Sequence, residues 1–185
     1  MRWDELFADL DAQAEALRIA ERAAEIEDRT RYEAGQLSLV DRLLPAVGNQ
    51  VRLRCAGGLL ITGRLGRVHP EWLLMVEPAS REAVVASAAI DSIGGLGPWS
   101  AAPDGRSVVG ARLGLRHVLR LIARDRSAVR IQLREGGVLD GTLDRVGADF
   151  VELAEHPAGE LRRRAEVTAM VAVPVAAIVA VRRDG

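Results

Sequence analysis

The feature that most constrains the fold of this chain is an internal repeat. When residues 51–75 are placed over residues 129–153, a shift of 78, seven of the 25 positions are identical. These are Val51/Val129, Arg52/Arg130, Gly58/Gly136, Gly63/Gly141, Leu65/Leu143, Arg67/Arg145 and Val68/Val146. A later match, Ala88-Ala89-Ile90 with Ala176-Ala177-Ile178, requires a shift of 88, so the second copy carries ten additional residues. Self-similarity of this kind predicts two related structural units.

Both copies have the sequence pattern of short antiparallel strands. Apolar Val51, Leu53 and Cys55 alternate with Arg52 and Arg54, which is the period of a half-buried strand. The second copy repeats this alternation at Val129, Ile131 and Leu133. Paired glycines then predict hairpin turns, and single glycines within the next strands predict bulges or sharp bends. The turn glycines are Gly57-Gly58 and Gly136-Gly137, and the single ones are Gly63 and Gly141. Short strands that bend at repeated positions indicate small closed barrels.

Helical patterns precede both copies and occupy the N-terminus. The first copy follows a helix at about 37–47 and the second a helix at about 108–126. An acidic helix of about thirty residues, ending at Gly35, opens the chain. The predicted organisation is therefore an N-terminal amphipathic helix (1–36), a first barrel (37–97), a linker (98–105) and a second barrel (106–185).

The N-terminal helix has a short heptad repeat. Trp3, Leu10, Leu17 and Ala24 recur at every seventh residue. Residues 1–34 carry ten acids and five arginines. Two interpretations remain open: a coiled coil that dimerises the chain, or a helix that folds over one of the barrels.

The repeat resembles the Sm-like fold, a five-stranded bent barrel with a leading helix. The resemblance depends on the alternating strand, the Gly-Gly turn, the Gly-x-Leu segment, the run Asp149-Phe150-Val151-Glu152-Leu153 and a late Val-Pro…Ile strand. The whole chain also resembles uncharacterised proteins of high-GC Gram-positive bacteria. The expected fold is α+β and mainly β: a long N-terminal helix followed by two helix-capped Sm-like five-stranded antiparallel barrels.

The resemblance implies binding to RNA and assembly into rings. In that family an aromatic or similar residue stacks on a base, and Phe150 and Trp72 stand at that position in the two copies. Glu152 and Leu74 stand where the family has the asparagine that reads the base edge. Packing in the core is the alternative role for Phe150 and Trp72.

The arginines of the second half are the feature with the clearest functional character. All 25 basic residues of the chain are arginine. Arg112, Arg116, Arg120 and Arg124 recur at every fourth residue, which places them on one face of the predicted helix. A further run, Arg162-Arg163-Arg164, lies in the longer connection of the second copy. Such a face could contact phosphates without reading sequence, or it could be paired with acids of the protein itself.

No arrangement of residues predicts an enzyme. The three histidines, His69, His117 and His156, lack metal-ligand spacing, and no metal or other cofactor is expected. A single cysteine, no signal-peptide pattern and no apolar run long enough for a bilayer favour a cytoplasmic protein without a membrane partner.

Two functions follow from the sequence. The first is a non-enzymatic nucleic-acid-binding regulator, with RNA or DNA as partner, contacting phosphates through the arginines and bases through Phe150 and Trp72. The second is an interaction scaffold that forms homo-oligomers, or binds another protein, through the N-terminal helix or the barrel edges. An exposed Arg116 and Arg120 would favour the first function.

Overall fold

The computed structural model describes residues 3–101, 113–157 and 168–183. The chain forms two compact units, Met1–Ser38 and Leu39–Gly185. The first unit is a single helix, α1 (Trp3–Gly35), which confirms the predicted long N-terminal helix. Ion pairs between residues three or four apart stabilise α1, among them Arg29 with Glu33 and Arg31 with Glu27.

In its described residues, the second unit is built on ten antiparallel strands. Two helices accompany them, α2 (Leu39–Leu43) and α3 (Leu115–Asp125). The strands are β1 (Gln50–Cys55), β2 (Leu60–Val68), β3 (Trp72–Val76), β4 (Glu82–Ala86), β5 (Ile90–Gly94), β6 (Ala128–Leu133), β7 (Val138–Val146), β8 (Phe150–Glu155), β9 (Ala169–Pro174) and β10 (Ile178–Arg183). The mainly β character predicted from the alternating pattern is confirmed.

All ten strands belong to one sheet, with the order β5-β1-β2-β3-β4-β10-β6-β7-β8-β9. The two copies of the repeat therefore have the same internal strand order. They are joined where β4 pairs with β10, with Val85 opposite Ala180 and Val84 opposite Val181. The prediction of two helix-capped five-stranded Sm-like barrels is wrong, because β4 of the first copy and β10 of the second copy form a continuous hydrogen-bonded ladder in a single open sheet.

The junction between the two copies is part of the hydrophobic core. Every side chain of Ala83–Ala86 and of Ile178–Val181 is buried. Because both faces of these strands are covered, their sequences are continuous apolar runs instead of alternating ones. Arg182 of β10 also makes a bidentate ion pair with Glu77, at 2.8 and 3.3 Å. The two copies consequently share one core.

The repeated glycines Gly63 and Gly141 allow close approach of neighbouring strands. A Cβ on Gly63 would lie 2.4 Å from the carbonyl oxygen of Val76, and one on Gly141 would lie 2.3 Å from that of Ala154. Any other residue would push these strands apart. The bulges in β2 and β7 come two to three residues later, between Leu65 and Arg67 and at the equivalent place in the second copy.

Candidate nucleic-acid interface

Helix α3 presents the predicted arginine face to solvent. Leu115 and Leu119 are buried, whereas Arg116, Arg120 and Arg124 are exposed. The spacing of four residues places the three arginines on the side of the helix that does not pack on the sheet. Arg112 lies outside the described residues, as do Arg162, Arg163 and Arg164.

The three described arginines of α3 differ in their contacts. Arg116 donates a hydrogen bond to the carbonyl oxygen of Ala148, at 2.9 Å, so it also ties the helix to the turn between β7 and β8. Arg120 and Arg124 make no side-chain hydrogen bond or ion pair within the described part of the sheet unit. These two guanidinium groups are therefore free to bind an anion.

The N-terminus of α3 is attached to the first copy of the repeat. The Glu71 carboxylate accepts a hydrogen bond from the backbone N–H of Leu115, at 2.8 Å. A carboxylate at this end satisfies a donor that lacks a partner within the helix and interacts favourably with the helix dipole. Next to it, Nε1 of Trp72 donates to the carbonyl oxygen of Leu113, at 2.8 Å. These contacts hold α3 across both copies.

The two candidate stacking residues have different surroundings. Trp72 is only 8% exposed, and its ring stacks on that of His69, with centroids 5.5 Å apart. Phe150 is partly buried and lies against Gly147, where an added Cβ would be 2.4 Å from a ring carbon. Since His69 and Gly147 are equivalent in the repeat, each aromatic ring is covered by the residue three positions before it.

A pocket of about 670 Å³ lies beside α3 and brings Trp72 and Arg124 together. Its apolar lining includes Trp72, Leu74, Val84, Leu121, Ile122 and Val181. Its charged lining consists of Arg67, Arg124, Arg183, Glu82 and Asp125. The last acid is bound by Arg183, so Arg67 and Arg124 are the unpaired cations of the pocket. A planar apolar group with an adjacent anion fits this combination. Phe150 and Arg116 do not line this pocket.

Cys55 is a buried thiol with no catalytic character. Burial, with a smaller contribution from the charge of Asp91, raises the pKa of the Cys55 thiol to about 11. The thiol is therefore protonated at neutral pH and is a poor nucleophile. Among the described residues, no group of three or more histidines, cysteines or acids could hold a metal ion.

Four further arginines, which the sequence pattern did not mark as functional, are prominent in the structure. Arg134 donates to the carbonyl oxygens of Ala88 and Ala176, so it ties the two copies together. Arg52, Arg54 and Arg64 are exposed on the outer face of β1 and β2. The alternation of β1 indicated that its two arginines share the outward face. Which residues lie opposite them on β2 and β5 depends on the strand register, and these residues are not acidic.

Three heptad positions of α1 are open to solvent. Leu10 and Leu17 are 51% and 65% exposed, and Ala24 is exposed as well.

No helix in the described part of the chain is both long and apolar enough to cross a membrane.

Comparisons of the chain with protein-family models, with curated proteins and with solved structures find no match.

Proposed function

We propose that this protein is a non-enzymatic, cytoplasmic nucleic-acid-binding protein and that its ligand is RNA. The observation that carries the proposal is a pair of exposed arginines on α3, Arg120 and Arg124, which have no hydrogen-bond or ion-pair partner in the described part of the chain. Like charges four residues apart disfavour a helix unless an anion compensates them. Guanidinium groups bind phosphate through a planar pair of donors, which suits them to this task.

The pocket beside α3 supports a single-stranded ligand. Its apolar lining is large enough for a base, and Arg124 at its rim can contact the adjacent phosphate. Single-stranded nucleic acids are bound in this way, with bases on apolar or aromatic surfaces and the backbone along a basic track. A duplex keeps its bases stacked and would use only the arginine face.

The test compares a variant that loses two arginine charges on α3 with a control that loses two arginine charges elsewhere. Arg120→Gln/Arg124→Gln removes the two arginine charges of α3 that have no side-chain hydrogen bond or ion pair among the described residues. Arg126→Gln/Arg145→Gln removes two charges that already have acidic neighbours, Asp144 and Glu152. Both variants change the net charge equally, so a general electrostatic effect would weaken binding equally.

Binding of labelled oligouridine and of duplex DNA is measured by fluorescence anisotropy between about 50 and about 200 mM salt. We expect the α3 variant to weaken RNA binding and to reduce the slope of log K against log salt by about 1.4, since each phosphate contact with a single strand contributes about 0.7. We expect the control to bind like the unmodified protein. No RNA binding at low salt, with the protein folded, would refute the proposal.

A second candidate function is self-association through the ends of the sheet. In the part of the chain that the structure describes, no strand pairs with the outer edges of β5 and β9. These strands are the repeat equivalents of β10 and β4, which do pair with each other. A free strand edge is a template for another strand, so β9 of one copy could pair with β5 of the next.

Ala172→Pro in β9 tests this candidate, because proline removes a backbone donor from the exposed edge. Sedimentation of the unmodified protein should show a mass above that of one chain, and the variant should shift towards the monomer. An unmodified protein that remains monomeric over a wide range of concentration would exclude self-association through these strand edges.

A further inference from the structure

The outer face of the sheet in the first copy carries three arginines on two neighbouring strands. Arg52 and Arg54 occupy exposed positions of β1, and Arg64 occupies an exposed position of β2. The strand register places Thr62 opposite Arg52 and Gln50 opposite Arg64. Arg64 is therefore the diagonal neighbour of Arg52, at a separation of about 7–8 Å that long side chains can span. We call these three residues the β1–β2 arginine patch.

The patch has no counter-charge. On its other side, β5 places Ser92 and Gly94 opposite the two arginines of β1. The acid of β5, Asp91, lies at the irregularity of this pairing, and its charge acts on the thiol of Cys55, which belongs to the buried face. Within the described residues, none of the three arginines has a side-chain hydrogen bond or ion pair.

The second copy of the repeat shows what the patch lacks. Arg130, the equivalent of Arg52, makes a bidentate ion pair with Asp140 at 2.8 and 3.2 Å. In the first copy Thr62 replaces that aspartate. Gln132 stands in place of the second arginine, and the buried Thr142 stands in place of the third. The same surface is thus neutral in one copy and carries three uncompensated charges in the other.

The surface next to the patch is shaped to admit a ligand. A pocket of about 350 Å³ is lined by Gln50, Val51, Arg52, Thr62, Gly94 and Gly95. None of these residues is acidic, and Gly94 has open space where a side chain would otherwise stand. Hydroxyl, amide and guanidinium donors are the groups that contact phosphate oxygens.

We propose that the β1–β2 arginine patch is a second phosphate-binding site, separate from α3, which binds consecutive phosphate groups of a nucleic-acid strand. The choice of a nucleic-acid strand rests on the function proposed above, whereas the preference for phosphate rests on the patch itself. Contacts of this kind position a strand without reading its sequence. As far as the structure describes the chain, only the first copy carries such a patch, since the equivalent surface of the second copy is neutral.

A reciprocal exchange between the two copies tests the site. Thr62→Asp gives Arg52 the acidic neighbour that Arg130 has, and Asp140→Thr removes that neighbour from Arg130. We expect Thr62→Asp to weaken binding of oligouridine and to lower the salt slope by about 0.7, as for one lost contact. We expect Arg52→Gln/Arg54→Gln to lower the salt slope by about 1.4. We expect Asp140→Thr to strengthen the binding of oligouridine, because Arg130 loses its acidic partner. Unchanged binding in Thr62→Asp and Arg52→Gln/Arg54→Gln would overturn the site.

A second measurement separates this site from the function proposed for α3. Arginine side-chain NMR signals are followed in the unmodified protein during titration with inorganic tripolyphosphate. Shifts at Arg52, Arg54 and Arg64 without any RNA binding would support a phosphate site that accepts inorganic polyphosphate and would refute the nucleic-acid function. RNA binding that depends on Arg120 and Arg124 alone, without shifts at the patch, would support the nucleic-acid function and refute the phosphate site. No shift and no RNA binding would refute both.

Discussion

The ion pair between Glu77 and Arg182 offers the sharpest test of the shared core. The two side chains are only 11% and 18% exposed and lie where the two copies of the repeat join. The substitution Glu77→Gln leaves the Arg182 guanidinium half-paired in a mostly dry site. Removing one partner of a buried pair costs about 3–5 kcal/mol, and the residual exposure here favours the lower end, about 3 kcal/mol.

The second copy supplies a matched control in Arg130 and Asp140. This pair has the same bidentate geometry, but its side chains are 42% and 25% exposed. For such a pair we expect Asp140→Asn to cost about 0.5–1 kcal/mol. The difference between the two variants therefore measures burial and not the number of hydrogen bonds.

Thermal and guanidinium unfolding followed by circular dichroism provide the measurement. For a unit of this size, a loss of about 3 kcal/mol lowers Tm by about 6–12 °C. The double variant Glu77→Leu/Arg182→Leu should recover most of that loss, because apolar residues can replace a buried pair without an uncompensated charge. A loss in Glu77→Gln no larger than that in Asp140→Asn would refute the assignment of this pair to the shared core.

Three further predictions concern the stability of the sheet unit. Gly141→Ala should lower the free energy of unfolding by about 1–3 kcal/mol, since the new Cβ overlaps the carbonyl group of a neighbouring strand. Gly97→Ala places its Cβ in open space and should change the free energy of unfolding little. Chemical denaturation of both variants measures the contrast, and equal effects would contradict the prediction. Because the pKa of Cys55 is raised to about 11, the folded state holds its proton more tightly than the unfolded state, so stability should fall as the pH rises from about 9 to about 11. Cys55→Ala should abolish that part of the pH dependence in parallel denaturant titrations, and an unchanged pH profile would contradict the prediction. Glu71→Gln should weaken the hydrogen bond from the backbone N–H of Leu115 and lower the stability of the start of α3 by about 1 kcal/mol. Faster amide hydrogen exchange in the first turn of α3 would show this loss. Unchanged exchange there would show that the carboxylate does not cap the helix.

Much of the candidate interface was accessible from the sequence. The spacing of Arg116, Arg120 and Arg124 was sufficient to predict that they share one face of a helix, because the helical period fixes which side chains lie on one side. Whether that face was exposed or paired with acids of the protein was decided by the tertiary structure. Packing was one of the two roles that the sequence left open for Trp72, but its partners were not accessible, since His69 and the start of α3 come together around the ring only in the folded protein. Nor was the β1–β2 arginine patch, whose charge depends on Thr62 lying opposite Arg52 where the second copy has an acid.

The local elements follow from the sequence: the long N-terminal helix, the alternating strands and their duplicated order. Each of them depends on the periodicity of apolar side chains and on the positions of glycines, and both signals act over a few residues. How the two copies combine is a property of the folded chain. Strand edges pair through backbone N–H and C=O groups that nearly every residue carries, so no side-chain pattern specified that β4 would join β10. Two copies that each looked able to close on themselves instead form one sheet, because this arrangement buries the apolar runs of both strands together.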